Sequence, residues 1–214
     1  MDSIIFDLDG TIWDPIDTVL DAWNSRIKEH EQIKRELTRT DFESTMGLQM
    51  HEISVKLFPD LNEDIRTQVI NECCDTEQGY LKKHGGNLYP HVEDVLKKLS
   101  EKYKLYIVSN CQDGYIESFY AFHKLEKYFL DYENPGRTGL SKGENIKLII
   151  QRNNLSDPIY VGDTEGDCKA AKYAEVPFVY AKYGFGQVNE YDESIDTFDD
   201  LVKRYITEES GAVL

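Results

Sequence analysis

Four aspartates, a lysine and a serine–asparagine pair stand at telling places in this sequence. Asp7 and Asp9 lie in the run Asp7-Leu8-Asp9-Gly10-Thr11, directly after the apolar Ser3-Ile4-Ile5-Phe6. Ser109-Asn110 follows Leu105-Tyr106-Ile107-Val108. Asp163 and Asp167 lie in Gly162-Asp163-Thr164-Glu165-Gly166-Asp167, after Ile159-Tyr160-Val161, and Lys142 opens a helical pattern between these last two segments. If the four carboxylates meet, they repel: two charges about 4 Å apart cost roughly 4 kcal/mol at an effective dielectric near 20. Protons or a cation must relieve that cost. Hard carboxylate and carbonyl oxygens suit Mg²⁺, which needs few protein ligands and keeps several waters. Such a cation also takes a phosphate oxygen, and Lys142 adds a second positive charge.

The elements needed to bring these residues together can be read from the same pattern. Each apolar run is short and reads as a buried strand. From Leu105 onward, strands at Leu105–Val108, Ile159–Val161 and Phe178–Tyr180 alternate with helical patterns at Tyr115–Phe122, Lys142–Asn153, Glu165–Ala174 and Asp199–Ile206. A further helical pattern spans His91–Lys102. Strands separated by single helices predict an α/β fold, a doubly wound parallel sheet. In such sheets, ligands bind outside the carboxyl ends of the strands, where the motif residues fall. Between about 15 and 85 the pattern is helical throughout, with helices over Ile16–His30, Thr40–Met46, Glu52–Phe58 and Glu63–Lys83. The expected organisation is a core of residues 1–14 and 86–214, and a small all-helical cap over 15–85. The tail Glu208–Leu214 is expected to fray.

The order DLDGT, SN, Lys142, GDTEGD resembles the four motifs of the haloacid dehalogenase superfamily, in its phosphatase-like branch with a helical cap inserted after motif one. The resemblance spans nearly the whole chain and implies a Rossmann-like core, an aspartyl-phosphate mechanism and a Mg²⁺ cofactor. Residue by residue, it makes Asp7 the nucleophile and Asp9 the general acid and base. It gives the metal to Asp7, the Asp9 carbonyl and Asp163, with Asp167 behind them. It gives the phosphoryl group to Gly10, Thr11, Ser109, Asn110 and Lys142. Singly, each residue has a blander role: a turn at Asp9-Gly10, a helix cap at Ser109, a solvated helix start at Lys142, a first-turn acid at Asp167. Jointly, those roles need four coincidences at one sheet edge.

Asp9 also separates branches of the superfamily. Dehalogenases lack an acid there, so its presence favours phosphoryl chemistry. Sugar-phosphate mutases of the β-phosphoglucomutase type are the nearer rival, and Asp14 and Ala22-Trp23 resemble them. They place a catalytic histidine where this chain has Val19, which favours net hydrolysis. A protein that binds a phosphometabolite without turnover is the third reading. The cap segment Thr45-Met46-Gly47-Leu48 resembles the one that sets specificity, and Trp13, Arg39, Met46 and Gly47 are its candidate substrate contacts. Phosphoglycolate phosphatases often carry an arginine four residues before such a glycine. Here that position is Glu43, so phosphoglycolate is a poorer fit than the fold suggests.

Composition sets the outer limits. The formal net charge is −16, from 40 acidic and 24 basic residues. A surface that negative repels phosphate backbones and anionic membranes, so neither nucleic acid nor membrane is an expected partner. The expected ligand is a small phosphorylated metabolite, met in the cytoplasm by a monomer or weak dimer. Cys73, Cys74, Cys111 and Cys168 show no metal-like spacing and read as reduced thiols. The start of the chain has no basic region and no long apolar run, so no leader peptide is expected.

Overall fold

The structure, a computed structural model, describes residues 1–206; the expected frayed tail lies outside them. Six strands form one parallel sheet: β1 (Ser3–Phe6), β4 (Lys104–Val108), β5 (Asp131–Glu133), β6 (Pro158–Gly162), β7 (Phe178–Ala181) and β8 (Glu193–Ile195). Their spatial order is β5-β4-β1-β6-β7-β8. The chain thus starts in the middle, winds to one edge and returns to build the other, as expected for a doubly wound fold. Ile5 faces Tyr106 on one side and Tyr160 on the other.

Both faces of the sheet are covered, and the strands alternate between them. Ile4, Phe6, Leu105, Ile107 and Val161 join one buried cluster with residues of α5 (Val92–Ser100), α6 (Tyr115–His123) and α10 (Asp200–Tyr205). Ile5, Tyr106, Val108 and Tyr160 join a second with residues of α8 (Lys142–Asn153) and α9 (Glu165–Ala174). A 3₁₀ turn over Glu126–Tyr128 and the short α7 (Pro135–Thr138) fill the connections.

Two strands of two residues, β2 (Trp13–Asp14) and β3 (Asn87–Leu88), pair antiparallel. They carry the chain out of the core and back. Between them lie only helices: α1 (Ile16–Ile27), α2 (Arg39–Glu43), α3 (Met50–Leu57) and α4 (Glu63–His84). We call this stretch the cap. The helix at α2 is shorter than the expected Thr40–Met46, because the last turn is spent on Gly47 at φ +79°. The next starts at Met50 rather than Glu52, because Glu52 reaches back to the Gln49 amide and closes a capping box. Gly85, at φ +67°, ends α4.

Candidate active site

The site lies where β1, β4 and β6 end. Asp7 continues β1 by donating its amide to the Val161 carbonyl at 2.8 Å. That places its carboxylate beside Lys142, the first residue of α8, whose Nζ donates to Asp7 Oδ1 at 2.9 Å and to Asp167 Oδ1 at 2.6 Å. All three side chains are buried. A cation at a helix N-terminus opposes the dipole, and the two carboxylates offset this. Burial works against the Lys142 ammonium, but Asp167 and Asp7 outweigh it and hold its pKa well above the ordinary value.

Asp167 is the hub of the loop after β6. Its Oδ2 accepts from the Thr164 amide (2.9 Å), the Thr164 hydroxyl (2.7 Å) and the Asp163 amide (3.2 Å). The Thr164 amide bond, with the Asp167 amide donating back to the Thr164 hydroxyl at 3.2 Å, makes the capping box of α9, so the carboxylate that caps the helix also holds Lys142. Asp163 Oδ2 accepts from the Phe185 amide at 2.7 Å, while its Oδ1 is buried without a partner. Burial, then Asp167 and Asp7, push the Asp163 carboxyl far above the usual range. Burial and Asp167 also raise Asp7, against the pull of Lys142 and the Ser109 hydroxyl.

One oxygen each of Asp7, Asp163 and Asp167 lie within 4.8 Å of one another. Three hard oxygens, a raised carboxyl and an orphaned Oδ1 fit a small divalent cation. Gly10, at φ +81°, makes the cluster possible, since a Cβ there would sit 2.2 Å from Asp163 Oδ2.

Asp9 points elsewhere. Its carboxylate accepts from Trp13 Nε1 at 2.6 Å and from the Tyr115 hydroxyl at 3.1 and 3.2 Å. Burial and then Asp7 raise its pKa to about 7, with Trp13 and Tyr115 pulling the other way. Thr11 Oγ1 is buried without a partner, and its carbonyl accepts from the Tyr183 hydroxyl at 2.8 Å. Asn110 Nδ2 donates across to the Gly47 carbonyl of the cap at 3.0 Å, leaving its own Oδ1 unpaired.

The candidate specificity residues divide. Met46 and Gly47 line a cavity of about 60 Å³ between cap and core that also touches Asp9 and Val19. Trp13 is fully buried behind Asp9, edge-on to Tyr115 and Phe119, and is not part of that lining. Arg39 is engaged by Asp14, Asp17 (2.9 Å) and Glu43 (2.9 Å).

Three features escaped the sequence reading. The loop Tyr183–Gly186 packs on Asp163; a Cβ on Gly184 would lie 2.3 Å from that side chain's Cβ. Two glycines closely following a strand are the usual mark of such an approach. Glu77 is buried, lines the cavity, and continues the apolar stripe Ile70, Cys73, Cys74, Leu81 of α4. An acid in that stripe was the available signal. Tyr115 gave none, since an aromatic in the first turn of a helix reads as packing.

The family model described as haloacid dehalogenase-like hydrolase matches residues 4–181. The chain belongs to that family. It is an enzyme of the family's phosphatase-like branch. A phosphoglycolate phosphatase of Salmonella typhi is 26% identical, over 94% of this chain and 90% of its own. A haloacid dehalogenase-like family hydrolase of Streptococcus pneumoniae has the same fold, with a TM-score of 0.83 at 19% identity, over 97% of this chain and 99% of its own. A predicted phosphoglycolate phosphatase of Haemophilus somnus superposes with a TM-score of 0.83 at 20% identity, over 95% and 97%.

Proposed function

We propose that this hydrolase is a Mg²⁺-dependent phosphatase of small phosphorylated metabolites that works through an aspartyl phosphate on Asp7. The observation that carries the reading is the pairing of buried Asp7 with Lys142, beside an Asp163 oxygen that has no partner. Asp7 and Asp163, with the Asp9 carbonyl, would hold the metal, and Asp167 would sit behind them. When bound, the metal supplies charge neutralisation for the carboxylates and for the phosphoryl oxygens.

The chain's own residues do the rest. An Asp7 oxygen attacks phosphorus as the ester P–O bond breaks, and Asp9 gives its proton to the leaving oxygen. Water then attacks the same phosphorus, Asp9 takes a proton from it, and the P–O bond to Asp7 breaks to release phosphate. Lys142 stabilises charge on the transferring group, and the Thr11 and Ser109 hydroxyls and the backbone amides around Asn110 donate to it. The cap closes over this face and keeps bulk water out. Val19 lines the cavity where a mutase carries its histidine, which favours hydrolysis over isomerisation.

The test is release of p-nitrophenol from p-nitrophenyl phosphate with Mg²⁺. Asp7→Asn should lower kcat by roughly 10³-fold or more, and chelation of the metal should stop turnover. Equal rates for wild type and Asp7→Asn would sink the proposal.

A further inference from the structure

The cavity between cap and core has an unusual lining for an enzyme of phosphate esters. Its walls include Trp23, Phe42, Met46 and Leu48 from the cap, and among the described residues no lysine, arginine or histidine lines it. Two carboxyls do: Asp9 on the core side and Glu77 on the cap side. The space is about 60 Å³, enough for about four waters or a leaving group of a few heavy atoms.

Glu77 is almost fully buried, and each of its oxygens meets one neutral donor. Trp23 Nε1 donates to Oε2, and Gln112 Nε2 donates to Oε1 at 2.9 Å. A carboxylate offers about four acceptor sites, so two donors leave capacity unused. A purely structural buried acid would have its remaining lone pairs against packed side chains. This one opens onto the space beside Asp9, where the alcohol of a bound phosphomonoester would leave.

We propose that Glu77 is the specificity residue for the leaving group, and that the substrates are small phosphomonoesters whose alcohol bears a hydrogen-bond donor, an amine or hydroxyl, and no carboxylate. This rests on the phosphatase reading given above. A donor on the alcohol meets the free acceptor sites of Glu77. A carboxylate there faces two acids in an apolar space with no cation, a costly desolvation. In this respect the cavity departs from what an acidic substrate such as phosphoglycolate needs.

The experiment compares 2-aminoethyl phosphate, 2-hydroxyethyl phosphate and phosphoglycolate, which share a two-carbon skeleton and differ in the terminal group. Initial rates are measured with Mg²⁺ for wild type and Glu77→Gln, with p-nitrophenyl phosphate as reference. Wild type should show kcat/KM at least about tenfold higher for one or both donor-bearing esters than for phosphoglycolate, and which one leads tells amine from hydroxyl. Glu77→Gln should shrink that ratio to about threefold or less. Because the ratio is taken within one preparation, partial unfolding of the variant cancels. Phosphoglycolate as the best of the three wild-type substrates overturns the proposal, and so does a donor preference that Glu77→Gln leaves unchanged. Failure to hydrolyse even p-nitrophenyl phosphate overturns the phosphatase reading, and this inference with it.

Discussion

The sheet edge and the cap cavity both bury charge, but they manage it in opposite ways. At the edge, Lys142 sits between Asp7 and Asp167, and Asp167 is further bound by Thr164, Tyr160 and the Asp163 amide. Lys142, Asp7 and Asp167 answer one another there, and removing one strands the others. In the cavity, Glu77 meets two neutral donors inside apolar walls. The chemical machinery is therefore locked into the fold, while the substrate-facing acid can be changed with less damage. A scaffold built this way can change its leaving group without disturbing its reaction.

The sharpest way to break this contrast is to remove a locked charge. Lys142→Met should leave two carboxylates buried without their cation, costing about 3–5 kcal/mol of stability. It should also lower kcat by about 10²–10³-fold. Urea unfolding and phosphate release measure the two effects. A stable variant that kept its activity would show that the edge is not an interlocked network.

The cavity acid should instead betray itself by pH. Burial raises Glu77 to about 7 from the ordinary 4.5, against the Trp23 and Gln112 bonds that pull it down. A raised carboxyl binds its proton more tightly folded than unfolded, so stability falls as pH rises from about 4.5 to about 7. Glu77→Gln removes that penalty. The variant should therefore gain on wild type between pH 5 and pH 8, by up to roughly 3 kcal/mol. Asp9 titrates in both proteins and largely cancels in the difference. Unfolding midpoints that move in parallel across this range would show that Glu77 keeps an ordinary carboxyl, and the contrast would lose its cap half.

A smaller effect is expected where the edge meets the Tyr183–Gly186 loop. A Cβ on Gly184 would lie 2.5 Å from both Asp163 Oδ2 and the Gly10 carbonyl, so Gly184→Ala must push the Asp163 carboxylate away. The Mg²⁺ concentration for half-maximal activity should rise by about tenfold, with kcat at saturating Mg²⁺ much less changed. An unchanged Mg²⁺ dependence would mean that Asp163 tolerates the shift and that the loop does not position it.

The sequence exposed these regions unequally. Asp7, Ser109, Lys142 and Asp163 were legible because each directly follows a short buried strand or opens a helix, and strand ends in a parallel sheet converge by topology alone. The edge strands β5 and β8 were not legible. Asp131-Tyr132-Glu133 and Glu193-Ser194-Ile195 carry no apolar run, and pairing with β4 and β7 makes them strands. The ribbon Trp13–Asp14 with Asn87–Leu88 was hidden for the same reason, since two residues hold no period. Glu77 and Tyr115 were missed because their roles depend on which helix face meets the core across a gap of 35 residues or more, and helical periodicity gives a face without its partner.

Arg39 tests the contrast from the other side. Anion binding from the cap would need a cation, and Arg39 is the residue whose sequence position suggests it. In the structure its guanidinium is shared by Asp14, Asp17 and Glu43, at side-chain exposures of 19–66%. Exposed pairs of this kind contribute about 1 kcal/mol or less. Arg39→Gln should therefore cost little stability and change KM for the best substrate by less than about threefold. A tenfold rise in KM with kcat kept would mean that Arg39 leaves its three carboxylates to grip the substrate. The cap would then supply a positive charge after all, and Glu77 would share control of the leaving group with a cation instead of excluding acidic ones alone.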